Sequence, residues 1–258
     1  MSLRFVGMVR LKTIQASAFR TVFEVLKDII NDVNLVFRPE GLMVVTLDTA
    51  RVTLVHLVMP AENFEEYHCE GEHTAGLNVS NTYKLLKSVT NTDTLSMSID
   101  DAYLLHILIE NAAKKSSTSF EFKLLDINDD MLSVPEIEMN VLTTIPSVDF
   151  QRVTRDMNNL APNMDIRITR KKNTLELECE GGFANQKTIL ECVEPGKDKP
   201  LGNLFSLKYI NMFTRATSLC SSVQLMQHED EDNMPIVFRY TVANLGELKF
   251  YLAPKVDE

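Results

Sequence analysis

Two stretches of the chain hold the residue types from which metal sites are built. HCEGEH, residues 68–73, brings His68, Cys69 and His73 close together, but a metal needs three or four converging ligands, and no further Cys or His is spaced to complete the set. It reads as a surface turn after a strand. HEDEDN, residues 228–233, is acidic enough to attract a cation, yet it lacks the Asp-x-Asp-x-Asp-Gly order that wraps calcium and reads as a solvated hairpin tip. No P-loop, GxGxxG, GxSxG or HExxH occurs. The sequence therefore points to a protein that is not an enzyme, with no catalytic residues, no metal and no cofactor.

What chemistry remains is cationic. Four segments each carry two basic residues at helical spacing: Arg20 with Lys27, Lys84 with Lys87, Arg152 with Arg155, and Lys208 with Arg215. Offsets of three and seven put both members of a pair on one side of a helix. Such faces either solvate a surface helix or, gathered together, hold a phosphate backbone weakly and without regard to sequence. The formal net charge of -10 argues against polyanion binding by the surface as a whole. A basic face on an acidic body resolves the two, and residues 80–90 and 206–217 contain no Asp or Glu at all.

The elements that must position these cations are legible from apolar spacing. Residues 17–31 place Phe19, Val22, Phe23, Leu26 and Ile30 on one face behind Ser17 as N-cap. Residues 80–90 do the same with Tyr83, Leu86 and Val89, residues 148–158 with Phe150, Val153 and Met157, and residues 206–217 with Leu207, Ile210, Phe213 and Ala216 behind Ser206. Between them run period-2 strands over 44–59, 94–99, 117–124, 174–180 and 235–242, punctuated by turn signals at 39–41, 111–117, 172–173 and 194–202. The order helix, strands, helix, strands occurs twice, with Phe19 and Phe150, and Tyr83 and Ile210, about half a chain apart. A duplicated α+β unit explains this; a chance likeness inside one α+β domain is the other reading.

Length and composition fit either. With 258 residues, 45% of them hydrophobic, the chain can build one large core or two ordinary ones. Four scattered cysteines and no leader pattern at Met1 imply free thiols in a reducing compartment. No apolar run reaches the ~18–20 residues that cross a bilayer, so no membrane partner is expected. One stretch fits no element: KLLDINDDMLSVPEIEM, residues 123–139, leaves Leu132 and Val134 in acidic sequence with neither helical nor strand spacing.

FRTVFEVLKDIIND (19–32), LDTARVTLVHL (47–57), KLLDINDDMLSVPE (123–136) and LGELKFYLAPK (245–255) together resemble proliferating cell nuclear antigen, the DNA sliding clamp family. The likeness runs through nearly the whole chain. It implies a duplicated clamp fold of class α+β, two similar domains each with antiparallel sheets and two helices, at 1–123 and 141–258, joined by a connector at 124–140. It further implies a closed homotrimer around double-stranded DNA in the nucleus, or at a viral replication site. DNA polymerase, an ATP-dependent clamp loader and proteins bearing a short clamp-binding peptide would be its partners. The eight cations above would face DNA.

By the same resemblance, Phe120 and Phe122 on one strand, and Phe183, Asn185, Lys187 and Ile189 on another, would form the subunit interface, although Phe120 and Phe122 would serve equally well in a core. Leu132 and Val134 would wall a peptide pocket with Leu47, Arg51, Val52, Leu54, Pro235, Tyr251, Ala253 and Pro254. Leu47, Val52 and Leu54 are also acceptable β-core residues. Arg51 stands where relatives often have histidine, and Thr21 where they often have lysine. About seven extra residues precede the first strand. Lys172 aligns with a lysine that relatives modify with ubiquitin, and a plain turn lysine is the alternative.

Overall fold

The computed structural model describes residues 8–101, 103–128, 132, 134, 141–162, 164–171, 173–192, 201–228 and 234–255. They fall into two compact units, neither contiguous in sequence. The first comprises Met1–Thr46, His56–Ser133 and Val242–Glu247; the second comprises Leu47–Val55, Val134–Thr241 and Leu248–Glu258.

Strands β1 (Val9–Thr13), β2 (Asp32–Arg38), β3 (Gly41–Leu47), β4 (Thr53–Pro60), β5 (Glu66–Cys69), β6 (His73–Asn78), β7 (Thr94–Asp101), β8 (Leu104–Asn111) and β9 (Ser116–Lys123) lie wholly or mainly in the first unit, with helices α1 (Ala16–Leu26) and α2 (Val79–Leu86). Here one antiparallel sheet has the order β5-β1-β7-β8-β9, and β4-β3-β2-β6 form a second run. The second unit holds β10 (Val141–Pro146), α3 (Ser147–Leu160), β11 (Asp165–Arg170), β12 (Thr174–Glu180), β13 (Asn185–Glu191), β14 (Leu201–Ser206), α4 (Leu207–Phe213), β15 (Ser222–Gln227) and most of β16 (Ile236–Val242) and β17 (Gly246–Leu252). Its strands run β13-β12-β11-β14 and β10-β15-β16-β17.

Each helix forms where its apolar stripe can be buried. In α1 the buried residues are Phe19, Val22, Phe23, Val25 and Leu26; in α3 they include Phe150, Val153 and Met157. The second unit pins both its helices through aromatic rings: Phe213 of α4 stacks on Phe250 at 4.4 Å and meets Phe238 at 5.5 Å, while Phe150 of α3 lies 5.9 Å from Phe238. Burying rings of this size contributes roughly 1.5–3 kcal/mol each.

Helix ends differ from the sequence expectation in instructive ways. Ser17 lies inside α1, whose N-cap is Gln15 with no side-chain cap, and the helix stops at Leu26 although Ile30 stays buried in the turn beyond. In α2 the cap is Asn78, whose side-chain oxygen accepts from the Asn81 amide at 3.0 Å. The segment 206–217 is helical only to Phe213 and then tightens into a 3-10 turn, Thr214–Leu219. Residues 44–59, which read as one alternating run, are a hairpin: the chain reverses between β3 and β4 with Arg51 in the left-handed region at φ 56. Alternation persists across a tight turn, so period alone misses it.

The stretch after β9 begins on the first unit. Leu125 donates its amide to the Gly76 carbonyl at 2.8 Å, and Asn34 Nδ2 donates to the Ile127 carbonyl at 3.1 Å. This approach requires glycine, because a Cβ on Gly76 would stand 2.2 Å from the Leu125 oxygen. Gly76→Val should therefore push the 124–128 segment off β6 at a cost of about 1–3 kcal/mol, read as a lower urea midpoint; an unchanged midpoint would mean that the segment yields freely.

Candidate functional site

Burying the apolar stripes turns the intervening cations outward. Lys84 and Lys87 at the end of α2, Arg152 and Arg155 on α3, Lys208 on α4 and Arg215 in the following 3-10 turn are all exposed. Arg20 and Lys27 are not: both are half-buried where α1 meets α2. Arg20 Nη1 donates to the Val89 carbonyl at 3.0 Å, and Lys27 Nζ lies 5.0 Å above the Tyr83 ring and 3.7 Å from Asp28 Oδ2.

Among the described residues, two of the strands at sheet ends, β9 and β13, leave apolar side chains uncovered. In the first unit, among the described residues, β9 pairs only with β8, setting Phe120 opposite Ile107 and Phe122 opposite Leu105. Leu105 and Ile107 are buried, whereas the two phenylalanines are half-exposed, so the apolar face of the sheet runs out to the edge unfinished. In the second unit, among the described residues, β13 pairs only with β12. Ile189 is 55% and Phe183 83% exposed, and Asn185 is also exposed. Lys187 shares that face but is held at 3.0 Å from Glu176 Oε2 and 2.7 Å from Glu178 Oε1. Leu190, missed by sequence reasoning, lies half-buried on the opposite, core-facing side, across from buried Leu175.

Asp48 organises the loop between β3 and β4, which belongs to the second unit. Its Oδ1 accepts from the Val52 and Thr53 amides at 2.7 and 2.8 Å, and its Oδ2 accepts from the Ala50 amide at 3.2 Å and from the Tyr209 hydroxyl of α4 at 2.6 Å. The Val52 carbonyl in turn accepts from the Ala253 amide at 3.1 Å, and the Lys255 amide donates to the Leu204 carbonyl at 2.8 Å. Loop and C-terminal tail are thus fixed in one place. Leu47, Val52 and Leu54 are half-buried, and Leu47 and Leu54 sit on the strand faces opposite core-facing Val44 and Val55. Arg51 and Ala253 are exposed, while Pro235, Tyr251 and Pro254 are half-buried. Of the connector positions, Val134 belongs to this unit and Leu132 to the first, each half-buried; most of the connector, Lys172, residues 229–233 and the N-terminal seven lie outside the described residues.

Among the described residues no three His, Cys, Asp or Glu side chains are placed to hold a metal, and no helix is long and apolar enough to cross a membrane. HCEGEH is a turn closed on itself: the His73 ring meets the Glu70 carbonyl at 2.8 Å, and Gly71 takes φ 82.

Residues 8–132 match the family model described as "Proliferating cell nuclear antigen, N-terminal domain", and residues 133–255 match "Proliferating cell nuclear antigen, C-terminal domain". The chain is 34% identical over 255 residues to "Probable DNA polymerase sliding clamp 1" of Paramecium bursaria Chlorella virus 1, covering 95% of each. Its fold superposes with a TM-score of 0.89, at 25% identity, on the crystal structure of Proliferating Cellular Nuclear Antigen from Entamoeba histolytica, covering 97% of this chain and all of that one.

Burial alone would raise the Asp48 carboxyl, but the Tyr209 hydroxyl and the Thr53, Val52 and Ala50 amides outweigh it and hold the group below its ordinary value; burial and the Asp48 hydrogen bond push Tyr209 up to about 12. A depressed carboxyl stabilises the fold above its unfolded value and loses that contribution as pH falls through the native one. Tyr209→Phe should therefore cost about 1.5–3 kcal/mol at neutral pH, and the deficit should shrink on acidification below the carboxylate range. Urea melts of both proteins across that range check it; a deficit independent of pH would separate Tyr209 from Asp48.

Proposed function

The chain belongs to the proliferating cell nuclear antigen family and is a DNA sliding clamp, a non-enzymatic processivity factor of DNA replication; on that premise we propose how its parts divide the work. Two clamp domains, 1–123 and 141–258, with a connector at 124–140, form one subunit. Three subunits close head to tail around double-stranded DNA, β9 of one pairing with β13 of the next. The observation that carries this is that two dissimilar edge strands, β9 and β13, leave apolar side chains uncovered, as a closed head-to-tail ring needs and a self-complementary dimer does not. A clamp relative that assembles only with other chains would not need both.

The helices face the duplex, which they touch through phosphate and not through bases, so that the ring slides. Leu132, Val134 and the half-buried apolar residues around the Asp48 loop and the tail take a short peptide from DNA polymerase and other replication and repair proteins, with a few anchors carrying most of the affinity. Exposed Arg51 favours acidic residues in that peptide. An ATP-dependent loader opens the ring, and the site of action is the nucleus or a viral replication site. Lys172 is a candidate for modification.

Adjacent residues of a strand send their N–H groups to opposite sides. Of Phe120→Pro and Glu121→Pro, one should therefore remove only an outward donor, leaving a folded chain that sediments as the 29.3 kDa monomer. A species three times that mass persisting in both variants would refute the edge pairing. Leu132→Ala should weaken binding of a polymerase-derived peptide by roughly tenfold or more, a loss of about 1.4 kcal/mol, without lowering thermal stability; equal affinity would move the pocket elsewhere.

A further inference from the structure

The basic side chains of the first unit fall into two kinds, and we infer that only one kind meets phosphate: Lys84 and Lys87 carry the contact, whereas Arg20 and Lys27 are struts that lock α1 to α2. This rests on the DNA-facing reading of the helices proposed above.

Arg20 already has an acceptor. Its Nη1 donates at 3.0 Å to the carbonyl of Val89, a buried residue just past α2, where chain carbonyls lack helical partners. Its Nε is buried with no partner, so turning the guanidinium toward a phosphate would mean dragging it out of the helix junction and leaving the carbonyl unpaired. Lys27 lies over the Tyr83 ring with Asp28 beside it, and the Tyr83 hydroxyl is pushed above its ordinary value by burial first and then by the Glu24 carboxylate. The two cations of α1 thus share one junction with two carboxylates, and their field toward solvent largely cancels.

On α2 the arrangement is the opposite. The helix and its end hold no Asp or Glu, Lys84 donates to the neutral Asn81 side chain at 3.1 Å, and Lys87 is exposed. The second unit shows a weaker contrast, since Arg155 of α3 is exposed as well. Arg152 of α3 lies 3.5 Å from Asp149, while α4 and its 3-10 turn carry exposed Lys208 and Arg215 on a segment without acidic residues. In the first unit, then, the second helix presents its positive charge to solvent, and the first is mainly a brace.

The test measures binding of the full-length protein to a linear duplex, whose open ends admit a ring, between about 50 and about 200 mM salt. Lys84→Gln with Lys87→Gln should flatten the plot of log affinity against log salt by about 0.9 for each phosphate contact removed. Arg20→Gln with Lys27→Gln should leave that slope unchanged and lower the melting temperature. Equal flattening by the two pairs overturns the inference. If the Arg20 variant fails to fold, Lys27→Gln alone decides: an unchanged slope supports the strut, and a loss of about 0.9 refutes it. A flat slope for the unmodified protein would instead overturn the DNA-facing reading beneath it, before any variant is compared.

Discussion

The orientation of each helix on its sheet is fixed by apolar burial, and the rest follows from it. Phe150, Phe213, Phe238 and Phe250 form a continuous aromatic cluster, and rolling α3 or α4 about its axis would expose rings worth a few kcal/mol apiece. Single exposed cations contribute well under that. The stripe therefore decides where Arg152, Arg155 and Lys208 point, and the charged face can change by substitution without disturbing the fold. Clamp function needs that division of labour: contacts weak enough to exchange, mounted on elements that do not move.

The same reasoning explains why the open edges are stable. Lys187 is tethered to Glu176 and Glu178 across the strand pair, and Glu176 also takes Lys171 at 2.6 Å. The Lys187 ammonium is held above its ordinary value by these carboxylates, first Glu178 and then Glu176. Charges placed along an edge discourage indiscriminate strand addition. Half-exposed Phe120 and Phe122 invite it. β9 carries the second signal, and β13 carries both, since exposed Ile189 lies on the same face as Lys187.

The sequence was most legible where burial and period coincide. All four helices were found from apolar spacing because Phe19, Leu86, Phe150 and Phe213 each face a core. Their ends were less legible, since Gln15 and Pro146 occupy N-cap positions without side-chain caps, and propensity gives no sign of this. The reversal at 48–51 was invisible because the alternation of Val44 and Thr46 resumes at Thr53 and Val55, and the carboxylate that closes it takes one of its hydrogen bonds from a tyrosine 161 positions away. Helical spacing likewise placed Arg20 beside Lys27 but could not show that a carbonyl just past another helix already occupied the guanidinium. Edge position is also a tertiary fact: period marks β9 as a strand and the family resemblance marks β13, and neither shows what lies beside them.

The first unit takes Val242–Glu247 from near the end of the chain, and the second takes Leu47–Val55 from near its beginning. During synthesis, the half that leaves the ribosome first must therefore wait for almost the last residues before it is whole. Gly246, whose Cβ would stand 2.0 Å from the Val58 oxygen, belongs to that late segment. No single cleavage separates the residues of one unit from those of the other, and a truncation that removes Val242–Glu247 takes a piece from the unit made first.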